Sequence, residues 1–283
     1  MSSDSNVRLE LWGSDALGSA TVGVIYPFGA MEQHGRHLPL GTDSIIVEAI
    51  ARQTAAQFES VVVHPCLPIG CSAHHLGMRG THTIRAVTLI GLVADLVSSA
   101  RASGFKWALF LNGHGGNRGL IETAATEAVA DAPSPLVACV NYWDAVRGDP
   151  LESVRQGAIG SMGHACELET SILLALNEEL VGSVSPDDDF VHPDALLRAD
   201  ILQSAVVKLA GRWSQLEAGN GVRGRPSFAS RETGEVLLAR IVDGLTGIVK
   251  ELQSGEWDVS HPSGRATIES DQIATRDGRG QVH

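Results

Sequence analysis

The 283-residue chain is poor in cysteine, in aromatic side chains and in positive charge. Its four cysteines, Cys66, Cys71, Cys139 and Cys166, form no CxxC pair. That argues against a thiolate zinc site or a disulfide framework and points to a reduced, cytoplasmic setting. Lys and Arg number 21 against 33 Asp and Glu, a formal net charge of −12. Phosphate backbones and anionic membrane surfaces need clustered Lys and Arg, so neither nucleic acid nor membrane is an expected partner. No apolar run reaches the roughly 18 residues of a membrane span, and residues 1–10 carry no signal-peptide apolar core. Several catalytic signatures are also missing. There is no GxSxG elbow, no HExxH and no GxxxxGK[ST], and NGHGGNRG does not match GxGxxG. Serine-hydrolase, zincin and nucleotide-binding readings lose their main supports.

What is present is a globular composition, 43 % hydrophobic and 19 % charged, which rules out wholesale disorder. Apolar runs of strand length alternate with segments of helical period. Residues 21–28, 61–69, 106–111 and 136–143 read as strands. Residues 42–58, 87–101, 117–130 and 165–180 read as helices, with Thr42 or Asp43 capping the first and Gly104 stopping the second. Strand alternating with helix implies an α/β fold with a mainly parallel central sheet and helices on both faces. Two further helical segments, 195–216 and 232–253, flank a Gly- and Arg-rich loop at 219–226. One domain over residues 1–253, followed by a polar, loosely held tail at 254–283, is the expected organisation.

Nine of the 11 histidines fall between His34 and His192. Position is more telling than number. The segment GAMEQHGRHLPLGTD, residues 29–43, directly follows the first strand and holds Glu32, His34, His37 and Asp43. The segment NGHGGN, residues 112–117, directly follows the strand at 106–111 and sets His114 among glycines. In open α/β sheets ligands bind outside the carboxyl ends of the strands. Two strands thus deliver imidazoles and carboxylates to one edge. Carboxylate and imidazole without thiolate suit Zn, Mn or Fe. Asp43, with two oxygens, can bridge a pair of ions about 3.5–4 Å apart, and such a pair lowers the pKa of a shared water to about 7. His64, His192, His261 and His283 read as ordinary surface or core histidines.

These segments resemble the creatininase (creatinine amidohydrolase) family. The resemblance is carried by Glu32, His34, Gly35, His37, Leu38, Pro39, Thr42 and Asp43 in MEQHGRHLPLGTD, and by NGHGGN at 112–117. GHACELETS at 163–171 and, more weakly, PIGCSAHHLGMRGTHT at 68–83 follow in the same order, so that it covers about residues 20–250. It implies a three-layer α/β/α sandwich, a centre of two divalent ions per subunit, a small-molecule amide substrate and a homo-oligomer, often a hexamer. Carried over, Glu32 and His114 hold one ion, His34 the other, and Asp43 bridges them. Creatininase has a further metal-binding Glu two residues after the NGH histidine, where this chain has Gly116. Glu167, in the first turn of the fourth helix, is the candidate for the missing ligand or for a catalytic base, and Glu169 is the runner-up. A first-turn carboxylate also has a plain structural role, worth about 0.3–1 kcal/mol against the helix dipole. His75 is read as a hydrogen-bond donor to a substrate carbonyl or a proton shuttle, and His164 as a proton donor to a leaving amine. His37 is read as a support for the metal loop, Trp143 as packing or pocket wall, and Arg79 as a surface residue or a partner for an anionic group.

The expected activity is metal-dependent hydrolysis of a C–N amide bond other than a peptide bond, in a cyclic amide or a formamide. The alternatives are a mycofactocin-type precursor peptidase, an isomerase or lyase on the same metals, and a non-catalytic metal-binding member of the fold.

Overall fold

A computed structural model of the chain describes residues 6–18, 21–130, 134–146, 151–193, 200–202, 211 and 220–255. The expected helix at 195–216 lies almost wholly outside the described residues, and so does the tail beyond 255.

Four parallel strands form the central sheet, in the order β2-β1-β3-β4. They are β1 (Gly23–Phe28), β2 (Val61–Val63), β3 (Trp107–Asn112) and β4 (Leu136–Asn141). Every residue of β1 and β3 is buried. That is why these runs read as continuously apolar rather than alternating. Alternation survives in direction. Ile25, Trp107, Leu109 and Leu111 enter one core, while Val24, Tyr26, Phe28, Ala108 and Phe110 enter the other.

Helices cover both faces. On one side lie α1 (Thr42–Ala55), α4 (Glu167–Asn177) and α5 (Arg231–Ser254). On the other lie α2 (Ala86–Ala102) and α3 (Arg118–Val129). The result is the three-layer α/β/α sandwich. A small antiparallel pair, β5 (Met162–His164) and β6 (Arg223–Gly224), completes the described elements, with His164 opposite Arg223.

Two sequence readings change at this level. The strand expected at 61–69 stops at Val63, because Pro65 and Pro68 cannot donate to a ladder; the chain regains β1 only at a bridge between Leu67 and Phe28. Neither Thr42 nor Asp43 caps α1. Gly41 is its N-cap residue, and Thr42 Oγ1 donates instead to Pro39 O at 2.7 Å. Asp43 is drawn elsewhere.

The topology decides where a site can form. β1 connects through α1 to β2 on one side, and β3 connects through α3 to β4 on the other. The chain therefore diverges between the carboxyl ends of β1 and β3, which opens a crevice there.

Candidate metal centre

Six stretches of chain converge on that crevice. Glu32, Gln33 and His34 leave the end of β1, and Asp43 sits in the first turn of α1. His114 follows β3, His74 and His75 come from the loop after β2, and His164 ends β5. Glu169 enters from the first turn of α4. All are buried except His74, which is half-buried.

Asp43 stands between two imidazoles. Its Oδ1 is 3.1 Å from His34 Nε2 and its Oδ2 is 3.0 Å from His114 Nδ1. Glu169 Oε1 is 3.9 Å from the same His34 nitrogen. Glu32 Oε1 has three imidazole nitrogens around it: His75 Nε2 at 3.3 Å, His114 Nδ1 at 3.4 Å and His164 Nδ1 at 3.5 Å. Yet neither oxygen of this fully buried carboxylate accepts a hydrogen bond of acceptable geometry. The outer nitrogens of the rings are tied to the scaffold. His34 Nδ1 meets Glu32 O at 3.1 Å, and His114 Nε2 meets Ser72 Oγ and Cys71 O, each at 3.3 Å. Such ties fix which ring nitrogen faces inward.

The electrostatics show what the cluster lacks. Burial works against the charged form of Glu32, but the charge of His114 outweighs it and holds the carboxyl well below its usual range. Asp43 is lowered in the same way, chiefly by His34 against its own burial. Burial opposes the charged forms of His34 and His114. The carboxylates win, lifting His34 to about 10 and His114 well above its usual value. Burial pushes Glu169 up to about 7. Glu32 and Asp43 are thus held ionised by positive charge on His34 and His114. A divalent cation supplies that charge directly and gives the Glu32 oxygens a partner, so the residues fit a metal. Their donor atoms group accordingly: Glu32, His34 and His164; Glu32, His74 and His114; His34, Asp43 and Glu169, each set within 4.8 Å.

Of the residues singled out from sequence, Glu32, His34, Asp43, His114, His75 and His164 come together here. Glu167 does not. Its Oε1 accepts from Gln156 N at 2.5 Å and its Oε2 from Gly157 N at 3.1 Å, so both oxygens pin the segment before β5. Glu169 takes the place near His34. Its other oxygen, Oε2, accepts from Cys166 N at 3.3 Å and caps α4. Gly116 cannot be swapped for an acid without rearrangement, since a Cβ there would lie 2.2 Å from Cys71 O and 2.5 Å from His114 Nε2.

His37 is buried beside Thr170 Oγ1, 3.1 Å away, as a support for the loop. Trp143 packs in the core edge-on to Tyr142, while Arg79 is exposed. Two participants escaped the sequence reading, His74 and Gln33. His74 stacks parallel to His114 at 5.7 Å, and its adjacency to His75 was the available clue. Nothing local marks Gln33.

A family model described as Creatininase, creatinine amidohydrolase, matches residues 14–249. Among characterised proteins, the mycofactocin precursor peptide peptidase of Mycolicibacterium smegmatis is 31% identical over 245 residues, covering 81% of this chain and 85% of its own length. The creatinine amidohydrolase of Pseudomonas putida is 26% identical over 243 residues, covering 81% and 88%. Among solved structures, a manganese form of creatininase superposes with a TM-score of 0.74 at 24% identity, over 87% of this chain and 98% of the other.

Proposed function

The chain belongs to the creatininase family of hydrolases, and from that premise we propose that it hydrolyses a carbon–nitrogen amide bond at a centre of two divalent ions. The observation that carries this reading is Glu32, a fully buried carboxylate with no hydrogen bond to either oxygen amid imidazoles and acids. Glu32 and His114 would hold one ion, His34 and Glu169 the other, with Asp43 between them. Glu169 takes the role that the sequence offered to Glu167, whose oxygens serve two backbone amides. The donor set suits Mn, Zn or Fe. When bound, such ions polarise a carbonyl and acidify a water.

The protein's own groups handle the rest. Asp43 and Glu32 fix the inward nitrogens of His34 and His114. His75 Nε2 faces the centre as a donor to the substrate oxygen. His164 Nδ1 receives a proton and returns it to the leaving nitrogen. A cyclic amide or formamide is the substrate class we assign. The 31% identity to a mycofactocin precursor peptide peptidase supports a second reading, a peptide amide. We further propose a cytoplasmic homo-oligomer, in keeping with four free cysteines and the exposed Val87, Ile69 and Leu40.

The test is elemental analysis of protein purified without added metal, followed by turnover of creatinine, a formamide and a short peptide with and without chelator. Two equivalents of metal, and a product heavier by one water that disappears on chelation, are expected. A product of unchanged mass makes the enzyme an isomerase. No metal after reconstitution overturns the reading.

A further inference from the structure

Gln33 lies between Glu32 and His34, yet it holds neither. Its carboxamide makes four contacts. Oε1 accepts from Gly35 N at 3.0 Å. Nε2 lies 3.0 Å from Gly221 O, 3.1 Å from His75 Nδ1 and 3.0 Å from His164 Nε2. The first two contacts orient the amide. Rotating it by half a turn would set its nitrogen against the Gly35 N–H and its oxygen against the Gly221 carbonyl, two repulsive pairs in a buried site.

With the amide oriented, proton counting follows. Gln33 Nε2 has two protons. One goes to Gly221 O, which can only accept. His164 Nε2 also lies 2.9 Å from the backbone carbonyl of Gln33, and that carbonyl too can only accept. His164 Nε2 therefore carries a proton and donates it there. As a donor it cannot take the second amide proton, which is left for His75 Nδ1. His75 then carries its one proton on Nε2, which lies 3.3 Å from Glu32 Oε1 without the geometry of a hydrogen bond. In the neutral ring of His164 the one proton is then the one on Nε2, which leaves Nδ1 as the acceptor that faces Glu32 Oε1 at 3.5 Å.

We propose that Gln33 is a positioning residue that locks these two imidazoles with opposite faces toward the substrate: His75 presents a donor, Nε2–H, and His164 presents an acceptor, Nδ1. The division of labour between them rests on the hydrolase reading above, but the tautomers do not. The donor suits an oxygen that gains negative charge. The acceptor suits a water that must lose a proton. A single amide sets both, because Gly221 and Gly35 leave it no other orientation.

The experiment is solid-state NMR on the zinc-loaded full chain containing 15N-labelled histidine, which reports the protonation of each ring nitrogen at any oligomer size. His75 and His164 are assigned by single substitution. The expected wild-type spectrum has both rings neutral and both Nε2 atoms protonated. Gln33→Glu, which sets a carboxylate oxygen against His75 Nδ1, is expected to move the His75 proton to Nδ1. Gln33→Met, which removes the donor, is expected to leave His75 a mixture of tautomers with the zinc content unchanged. A wild-type His75 protonated on Nδ1, or a His164 unprotonated on Nε2, overturns the proposal without need of any variant. So do unchanged tautomers in both variants. The expected tautomers without hydrolysis of any amide would overturn the hydrolase reading alone. Scrambled tautomers in an active wild-type enzyme would overturn only the role of Gln33.

Discussion

Glu167 and Glu169 are two residues apart, and exchanging each for glutamine should produce opposite results. Glu167 is fully buried and accepts two backbone N–H groups from Gln156 and Gly157. In Glu167→Gln one oxygen becomes an NH2 that faces a backbone donor. A hydrogen bond to a charged group is worth about 1.5–3 kcal/mol, and an unmet buried donor costs about 1–3 kcal/mol more. The expected loss is about 2.5–6 kcal/mol, or about 5–24 °C in Tm at roughly 2–4 °C per kcal/mol for a chain of this size. Metal content should not change. Glu169 is the reverse case. Burial lifts its carboxyl to about 7 in the metal-free protein, where glutamine resembles the protonated acid, and the amide oxygen can still accept from Cys166 N. Glu169→Gln should therefore shift the metal-free Tm by less than the equivalent of about 1 kcal/mol, while the bound metal falls from two equivalents to one. Elemental analysis and calorimetry of chelated and loaded samples measure both quantities. Metal lost from Glu167→Gln and kept in Glu169→Gln would refute the assignment.

Three other outcomes follow from the same structure. Gly116→Glu should destabilise the protein by about 1–3 kcal/mol in denaturant unfolding, as overpacked sites do, because its Cβ would lie 2.2 Å from Cys71 O; a stability equal to the parent's would show that the loop has room. In Gly234→Ala, alanine gains about 1 kcal/mol of helix propensity. Its Cβ, however, would fall 1.8 Å from Ser171 O and force α4 and α5 apart. The net effect should be a loss of about 1–3 kcal/mol, read from urea midpoints. Metal binding near neutral pH should release protons, because His34 is held up to about 10 by Asp43 and Glu169 against its burial, and His114 is raised as well. Calorimetric titrations in buffers of different ionisation enthalpy measure the number released, and a value of zero would contradict the charge balance proposed for the metal-free site.

The most legible parts of the site were those set by short segments at strand ends. Glu32 and His34 lie in the loop after β1, Asp43 in the first turn of the helix that follows it, and His114 within three residues of β3. Their order along the chain, together with the parallel sheet, was enough to bring them to one edge. The choice between Glu167 and Glu169 was not legible. In a helix two residues differ by about 200°, so the two acids face opposite ways, and which one faces the site depends on how the chain enters α4. That entry is made by Ala165 at a φ of 47°, a left-handed conformation rare for alanine, which no local pattern announces. Gln33 was hidden for a different reason. Its amide is oriented by Gly221, 188 positions along the chain. The fold followed a similar rule. Buried strands and long helices could be read from periodicity, whereas the early end of β2 and the missing cap on α1 depend on prolines and on the pull of the site on Asp43.

The glycine at 116 and the acid at 169 are parts of one arrangement. The turn after β3 has to stay thin, because the carbonyl of Cys71 and the ring of His114 occupy the space a side chain would need. The second carboxylate beside His34, after Asp43, arrives from another element. The first turn of α4 already needs an acceptor for the Cys166 N–H, and Glu169 meets that need with one oxygen while the other stands 3.9 Å from His34. The same side chain therefore starts a helix and completes a charge cluster. A metal drawn to the cluster would hold Glu169 in place and with it the start of α4, so that ligand binding and local folding are linked at this position. Glu167 anchors the preceding segment to the same helix turn from the opposite face. The two acids divide a task that either alone would leave half done: one fixes the approach to α4, and the other aims its first turn at His34.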